Sequence, residues 1–146
     1  MKQKKDCYTG AYLGSLDHGL LEFPESFIEA FRLRNPGRNV SFNSFLSNDS
    51  IEECLELYDL RALHLLENSY YTKEECENVA LSENGRVIIP ENAISRLKLD
   101  KRGLIVGHKN FVEIWNPEIY SRFVKRLELE EEKDQHNLSN ILYSFT

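Results

Sequence analysis

The sequence predicts an α+β chain, mainly β, in which two tandem half-barrel repeats complete one core, with short helices between the strands and a longer helix near the C-terminus. Three observations lead there. The segment Gly19-Leu20-Leu21-Glu22-Phe23-Pro24-Glu25-Ser26-Phe27-Ile28 overlays Gly85-Arg86-Val87-Ile88-Ile89-Pro90-Glu91-Asn92-Ala93-Ile94, keeping glycine, proline, glutamate and isoleucine in place. A second match, Leu55-Glu56-Leu57-Tyr58 with Val112-Glu113-Ile114-Trp115, follows in the same order, so the first copy carries an insertion between its two matches. The chain has 146 residues, 41% hydrophobic and 29% charged, which suits a globular protein with a modest core. Neither half has enough apolar surface to stand alone, and two halves closing one core explain the duplication.

Each copy reads as strand, proline, short helix. Gly19 and Gly85 suit a turn needing positive φ just before a strand. The apolar runs Leu20–Phe23 and Val87–Ile89 fit buried strands. Pro24 and Pro90 either end the ladder, having no N–H to donate, or open a helix at its first position. Glu25 and Glu91 then fall in the first turn, where the helix dipole favours negative charge. Phe27, Ile28 and Phe31, like Ala93, Ile94 and Leu97, form one apolar stripe at helical spacing.

After the first helix, Asn35-Pro36-Gly37-Arg38 is a turn and Ser41–Asn48 a polar connection. A strand is expected near Cys54–Tyr58, then a helix from Asp59, as its cap, to about Asn68. In the second copy, Gly103–Val106 and Phe111–Trp115 read as strands joined by the turn Gly107-His108-Lys109-Asn110. Asn116-Pro117-Glu118 starts a final helix with an apolar face of Ile119, Tyr120, Phe123 and Leu127. Its end, Glu128–Glu132, is acidic, and the stretch Asp134–Thr146 is expected to fray.

Composition excludes several functions. No run of about 18 apolar residues occurs, so a membrane-spanning helix is not expected. Lys2, Lys4 and Lys5 carry no apolar run behind them as a signal peptide would, so a cytoplasmic protein is expected. Cys7, Cys54 and Cys76 are odd in number and lack C-x-x-C spacing, and the four histidines (His18, His64, His108, His136) are scattered singly. Neither a disulfide framework nor a metal site is expected, and no cofactor. Asp17 with His18, or His108 with Glu113, resemble acid–base pairs, but neither stands beside a nucleophile motif or a phosphate-cradling loop, so no enzyme and no catalytic residue is expected.

A net charge of -6 argues against nucleic acid at face value, yet its distribution does not. Residues 39–85 hold 2 basic and 10 acidic side chains, whereas residues 86–126 hold 9 basic and 4 acidic ones. Positive charge is thus gathered into one segment, as a DNA-facing surface or a solvated helical face would have it. Arg32, Arg34 and Arg38 read as a positioning patch or as exposed helix-end charge.

Tyr8-Thr9-Gly10-Ala11-Tyr12, then Ser15-Leu16-Asp17, resembles the opening of MraZ proteins. So does Asn84-Gly85-Arg86-Val87-Ile88-Ile89-Pro90 through Leu99-Asp100-Lys101, then Val106-Gly107 and Val112-Glu113-Ile114-Trp115. The similarity covers residues 8–123 and is strongest over 80–123. It implies an AbrB-like, double-split (swapped-hairpin) β-barrel: a degenerate first repeat over 8–59, a helical connection over 60–74, a second repeat over 75–120, and a C-terminal helix with acidic tail over 121–146. It further implies a homo-oligomeric, ring-shaped transcriptional regulator that is nucleoid-associated and binds double-stranded promoter repeats upstream of the division and cell-wall gene cluster. The DNA-binding residues it implies are Arg86, Asn84 and Gly85 in the second copy, with His18 and Gly19 in the first.

The family's repeat signature is Asp, two residues, Gly, Arg, three apolar residues, Pro. Here Ser82 stands at the aspartate position and Asn84 where lysine is usual; in the first copy Asp17 lies one residue too close to Pro24, and Leu20 occupies the arginine position. One reading head of two keeps its charge. That loss leaves a second expectation open, an AbrB-fold interaction or assembly module that no longer binds DNA.

Overall fold

The computed structural model describes residues 6–37, 41–47, 53–63, 73–75 and 78–129. Expectations for Lys2, Lys4, Lys5, Arg38, Cys76, the 64–68 end of the connecting helix and the 130–146 tail fall outside those residues. In chain order the elements are β1 (Tyr8–Asp17), β2 (Leu20–Glu22), α1 (Glu25–Arg34), β3 (Ser41–Ser47), β4 (Leu55–Tyr58), α2 (Leu60–Leu63), β5 (Lys73–Glu75), β6 (Val79–Ala80), β7 (Arg86–Ile88), α3 (Glu91–Arg96), β8 (Arg102–Lys109) and β9 (Phe111–Trp115). A C-terminal helix covers residues 117–129.

The strands form one antiparallel sheet in the order β5-β3-β4-β9-β8-β1-β2-β7, with β6 also on β3. Because β6 pairs with β3 at Ser41↔Ala80 and Phe42↔Val79, and Leu81 bridges to Val87 of β7, the ladder comes back on itself. Eight strands therefore make a nearly closed barrel, which leaves few exposed edges. β5 lies outside this ring, on β3.

The duplication is built into the pairing. In β2–β7, Leu21 opposes Val87, its own counterpart in the repeat, flanked by Leu20↔Ile88 and Glu22↔Arg86. In β4–β9, Glu56 opposes its counterpart Glu113, flanked by Leu55↔Ile114 and Leu57↔Val112. A segment paired antiparallel with its own copy about its midpoint lies on a local pseudo-twofold axis. Two further hydrogen bonds obey the same symmetry: Phe23 N donates to the Gly85 carbonyl at 3.0 Å, and Ile89 N to that of Gly19 at 2.8 Å. Each repeat's turn thus holds the other repeat's strand end, the arrangement of swapped hairpins. The fold class is the expected one, an AbrB-like double-split barrel.

One contiguous core fills the barrel. Leu21, Phe27, Leu46, Leu55, Leu57, Val87, Ile105, Val112 and Ile114 are at most 1% exposed, and each such side chain contributes about 1.5–3 kcal/mol by leaving water. Both repeats' helices add to it, α1 through Phe27, Ala30 and Phe31 and α3 through Ala93 with Leu97 behind it. Pro24 and Pro90 sit one position earlier than a first-turn proline: both are extended helix caps, φ -65° and -58°, whose carbonyls accept the first helical N–H bonds.

Three segments differ from expectation. Ser41–Ser47, read as a polar connection, is a strand, with Phe42 and Leu46 in the main core, Ser44 buried between them and Phe45 buried with Tyr58 and Ala62; burial of both faces, with serines and an asparagine among the apolar residues, hides the alternation. Strand β8 runs on through His108 and Lys109 because its far side pairs with β1 from Tyr8↔Lys109 to Ser15↔Arg102. The turn after it is correspondingly tight, with Lys109 at φ 64°. β1 itself, recognised only as a family motif, is a ten-residue strand. Its glycines obscure it but are required: a Cβ on Gly14 would lie 2.4 Å from the Glu22 carbonyl oxygen and 2.9 Å from Ile105 Cδ1. We expect Gly14→Ala to destabilise the chain by about 1–3 kcal/mol through this backbone clash, measured as a lowered urea midpoint at unchanged m-value.

Arg34, expected to be an exposed helix-end charge, is buried. Its Nε donates to Asp59 Oδ2 at 2.7 Å and its Nη2 to Oδ1 at 3.2 Å, while Nη1 reaches Asn110 Oδ1 at 3.1 Å. The Tyr8 hydroxyl also donates to Asp59, at 2.8 Å, and Arg34 lies over the Tyr8 ring. Asp59 caps α2 as expected, accepting from Ala62 N at 2.9 Å. Burial alone would raise its pKa, but the bonds from Arg34 and Tyr8 outweigh that and hold the carboxyl below the usual range.

Candidate nucleic-acid interface

The glycine turns of the two repeats differ in length by one residue, and their backbones show the consequence. In the first copy Asp17 pairs with Leu20, leaving His18 and Gly19 as a two-residue loop, with φ of 52° and 81°. Positive φ at both positions is the type I′ hairpin, whose twist matches the strands it joins. In the second copy Gly85 N donates to the Ser82 carbonyl at 3.0 Å, and Gly85 follows at φ 77°. That is a three-residue loop closing on a left-handed glycine. The Ser82 hydroxyl oxygen accepts from Arg86 N at 3.1 Å and the Ser82 N–H donates to the Arg86 carbonyl at 2.8 Å, so serine anchors this turn where the family pattern has aspartate.

Alternation along the ladder fixes what faces outward. Leu21 and Val87 point inward and are fully buried, so Leu20 and Glu22 share the outer face with Arg86 and Ile88. Arg86 and Asn84 are exposed, Gly85 is buried against Ile28, and His18 is exposed with its Nδ1 at 2.7 Å from Asp17 Oδ1. Arg86 stands beside Glu22 in register but forms no ion pair among the described residues. The five expected residues are therefore not one cluster. Asn84, Gly85 and Arg86 lie at one end of the β2–β7 ladder and His18 with Gly19 at the other, roughly 13 Å away at strand rise.

A cationic group not singled out in the sequence adjoins the first turn. Leu16 N donates to the Lys101 carbonyl at 2.8 Å, and Arg102 pairs with Ser15, which puts exposed Lys98, Lys101 and Arg102 beside the end of β1. With Leu13, Asn116 and Glu118 they line an open cleft. The signal for it was the basic count over 86–126; what the sequence could not show is that this segment folds against the uncharged head. Both pairs considered as acid–base couples, Asp17 with His18 and His108 with Glu113, do form, and the buried Cys54 thiol donates to Glu113 Oε2 at 3.4 Å beside the second.

Fold and surface together define the class: a two-repeat, swapped-hairpin barrel presenting a glycine-turn arginine. Comparison with known proteins agrees. The family profile described as "MraZ protein, putative antitoxin-like" matches residues 74–140. The "Transcriptional regulator MraZ" of Desulfitobacterium hafniense is 26% identical, over 83% of this chain and 89% of its own. That of Pseudomonas aeruginosa is 26% identical over 78% and 83% respectively, and that of Cytophaga hutchinsonii 41% identical over 32% and 30%. The chain is thus similar to MraZ proteins, by the family profile over its second repeat and C-terminal segment and at low identity along most of its length. No helix among the described residues is long and apolar enough to cross a membrane.

Proposed function

We propose that this chain is a DNA-binding transcriptional regulator, with no enzymatic activity, in which Arg86 reads the double helix and the first head serves as a backbone contact. The observation that carries the proposal is Arg86 itself, exposed on the outer face of the pseudo-twofold ladder directly after a left-handed glycine. A guanidinium so placed can pair bidentately with guanine O6 and N7 or with a phosphate. Asn84 beside it has donor and acceptor for a base edge, and Gly85 lets the backbone approach. At the other head, His18 and Gly19 shape the hairpin while Lys98, Lys101 and Arg102 supply the phosphate charge that Leu20 does not. Repeats of this unit around a homo-oligomeric ring would engage tandem promoter repeats at high effective concentration. The family resemblance points to the division and cell-wall gene cluster as target and to a nucleoid-associated, cytoplasmic protein. On this reading the chain divides into repeats over 8–59 and 75–120, a connection over 60–74 and a C-terminal segment over 121–146.

Pseudo-symmetry supplies a test. Leu20 occupies the position equivalent to Arg86 on the same outer face, opposite Ile88. Leu20→Arg is expected to tighten binding to a tandem-repeat promoter duplex about 10-fold or more, and to steepen the dependence of log K on log salt by about one. Fluorescence anisotropy across a salt series measures both. No binding of the unmodified chain at low salt, combined with a stable oligomer in light scattering, would instead favour the assembly-module reading, which the acidic segment 39–85 and Leu20 support.

A further inference from the structure

We propose that Cys54, Glu56 and Glu113 form a binding site for a divalent transition-metal ion of the zinc class, on the seam where the two repeats join. The seam is the β4–β9 ladder, whose central pair, Glu56 opposite Glu113, lies on the pseudo-twofold axis. The neighbouring Leu55, Leu57, Val112 and Ile114 belong to the barrel core, so by alternation both carboxylates face outward. Cys54, two residues before Glu56, shares that face and packs with Val106 and Trp115. This outer face is covered rather than open: Cys54 is 3% and Glu56 8% exposed.

One ligand atom from each of the three residues lies within 4.8 Å of the others, and Cys54 Sγ stands 3.4 Å from Glu113 Oε2. A tetrahedral ion with metal–sulfur bonds of about 2.3 Å and metal–oxygen bonds of about 2.1 Å spans a sulfur–oxygen edge of roughly 3.6 Å. The observed separation is therefore close to the one a shared ion would set. A thiolate with two carboxylates selects a borderline-soft transition ion, since calcium and magnesium take oxygen donors. Binding would release the thiol proton to solvent and leave a dication between two carboxylates that otherwise repel across the ladder.

The surroundings hold the carboxylates as an outer shell would. Trp115 Nε1 donates to Glu113 Oε1 at 3.1 Å, and the Tyr58 hydroxyl donates to Glu56 Oε2 at 2.8 Å. His108, half-exposed on β8, also contacts Glu113 Oε1, a further partner that orients this carboxylate. Along the chain Cys54 and Glu56 are neighbours on one strand but Glu113 is far away, which is why no metal site is expected from sequence; pairing of β4 with β9 brings the three together. The inference is independent of DNA reading, because the seam is formed by β4 and β9 rather than by β2 and β7.

The test is titration of the reduced, chelator-treated full chain with Co²⁺ and then Zn²⁺. One equivalent of Co²⁺ per chain is expected to bind with a thiolate charge-transfer band in the near ultraviolet, which Zn²⁺ abolishes by displacement. Zn²⁺ should raise the Tm and a chelator should reverse it. Cys54→Ser removes the band, whereas Cys7→Ser combined with Cys76→Ser retains it. Trp115→Phe, which removes no ligand, weakens binding about 10- to 100-fold. Absence of a stoichiometric band in the unmodified chain, a band that survives Cys54→Ser, or one lost from the Cys7→Ser, Cys76→Ser chain would overturn the site; the last variant and Trp115→Phe keep the test open should Cys54→Ser fail to fold.

Discussion

Replacing Arg86 with alanine is expected to weaken binding to a tandem-repeat promoter duplex about 10- to 100-fold per head, the loss of ~1–3 kcal/mol that a bidentate guanidinium contact supplies. The side chain is exposed, and its backbone is pinned by two hydrogen bonds to Ser82, so truncation removes a contact without disturbing the turn. Two outcomes separate what Arg86 touches. If it reads a base, the variant loses discrimination between the promoter repeat and a scrambled duplex while its salt slope stays the same. If it binds a phosphate, affinity falls equally on both duplexes and the slope drops by about one. Arg61→Ala makes a matched control, because Arg61 pairs with Asp6 and is remote in sequence from both turns. Binding that Arg86→Ala leaves unchanged removes Arg86 from the reading role. In that case Lys98, Lys101 and Arg102 become the leading contacts, and their charge-removing variants should flatten the salt dependence.

What can be read from the sequence is whatever depends on local chemistry. A left-handed glycine before each strand, a proline at each helix start and an asparagine cap at Asn116 act over a few residues, and they place β2, β7, α1, α3 and the C-terminal helix to within a residue or two. The repeat adds a long-range constraint, because two equivalent strands tend to pair about their midpoints; Leu21 with Val87 is that constraint realised. What stays hidden depends on partners far along the chain. β1 carries Gly14 where only neighbouring strands forbid a Cβ, and β3 carries a serine, Ser44, that is buried because Leu57 opposes it across the ladder. Arg34 defeats a local reading for the same reason: one turn of helix shows only that a cation sits at its C-terminal end, where the dipole favours it. The aspartate that draws it inward lies 25 residues further along the chain, past β3 and β4. The candidate interface divides likewise. Arg86 is visible as a motif, whereas Lys98, Lys101 and Arg102 become part of the surface only once β8 is paired with β1.

Asp59→Ala is expected to lower stability by about 3–5 kcal/mol, because it leaves the Arg34 guanidinium in the interior without its carboxylate. For a chain of this size that corresponds to roughly 10 °C or more in Tm. Arg34→Ala should cost a similar amount by stranding Asp59, which is fully buried. The two losses will not add: Asp59→Leu with Arg34→Met removes both charges together and should recover most of the stability, since an apolar pair of matching volume replaces a buried ion pair at little cost. Its residual loss should be the α2 cap at Ala62 N, about 1 kcal/mol, and the Tyr8 hydroxyl left without its acceptor. Acid gives an independent readout. Arg34 and Tyr8 hold the folded Asp59 carboxyl below its unfolded value of 3.8, so its contribution is fully present above that pH and is lost as pH falls through the lower folded value. Urea midpoints taken from neutral pH down to about pH 3 should therefore fall more steeply for the unmodified chain than for the Asp59→Leu, Arg34→Met double variant, in which this titration is missing. Parallel acid curves for the two would mean that the carboxylate is not held by these partners, and that the fold's internal polar anchor lies elsewhere.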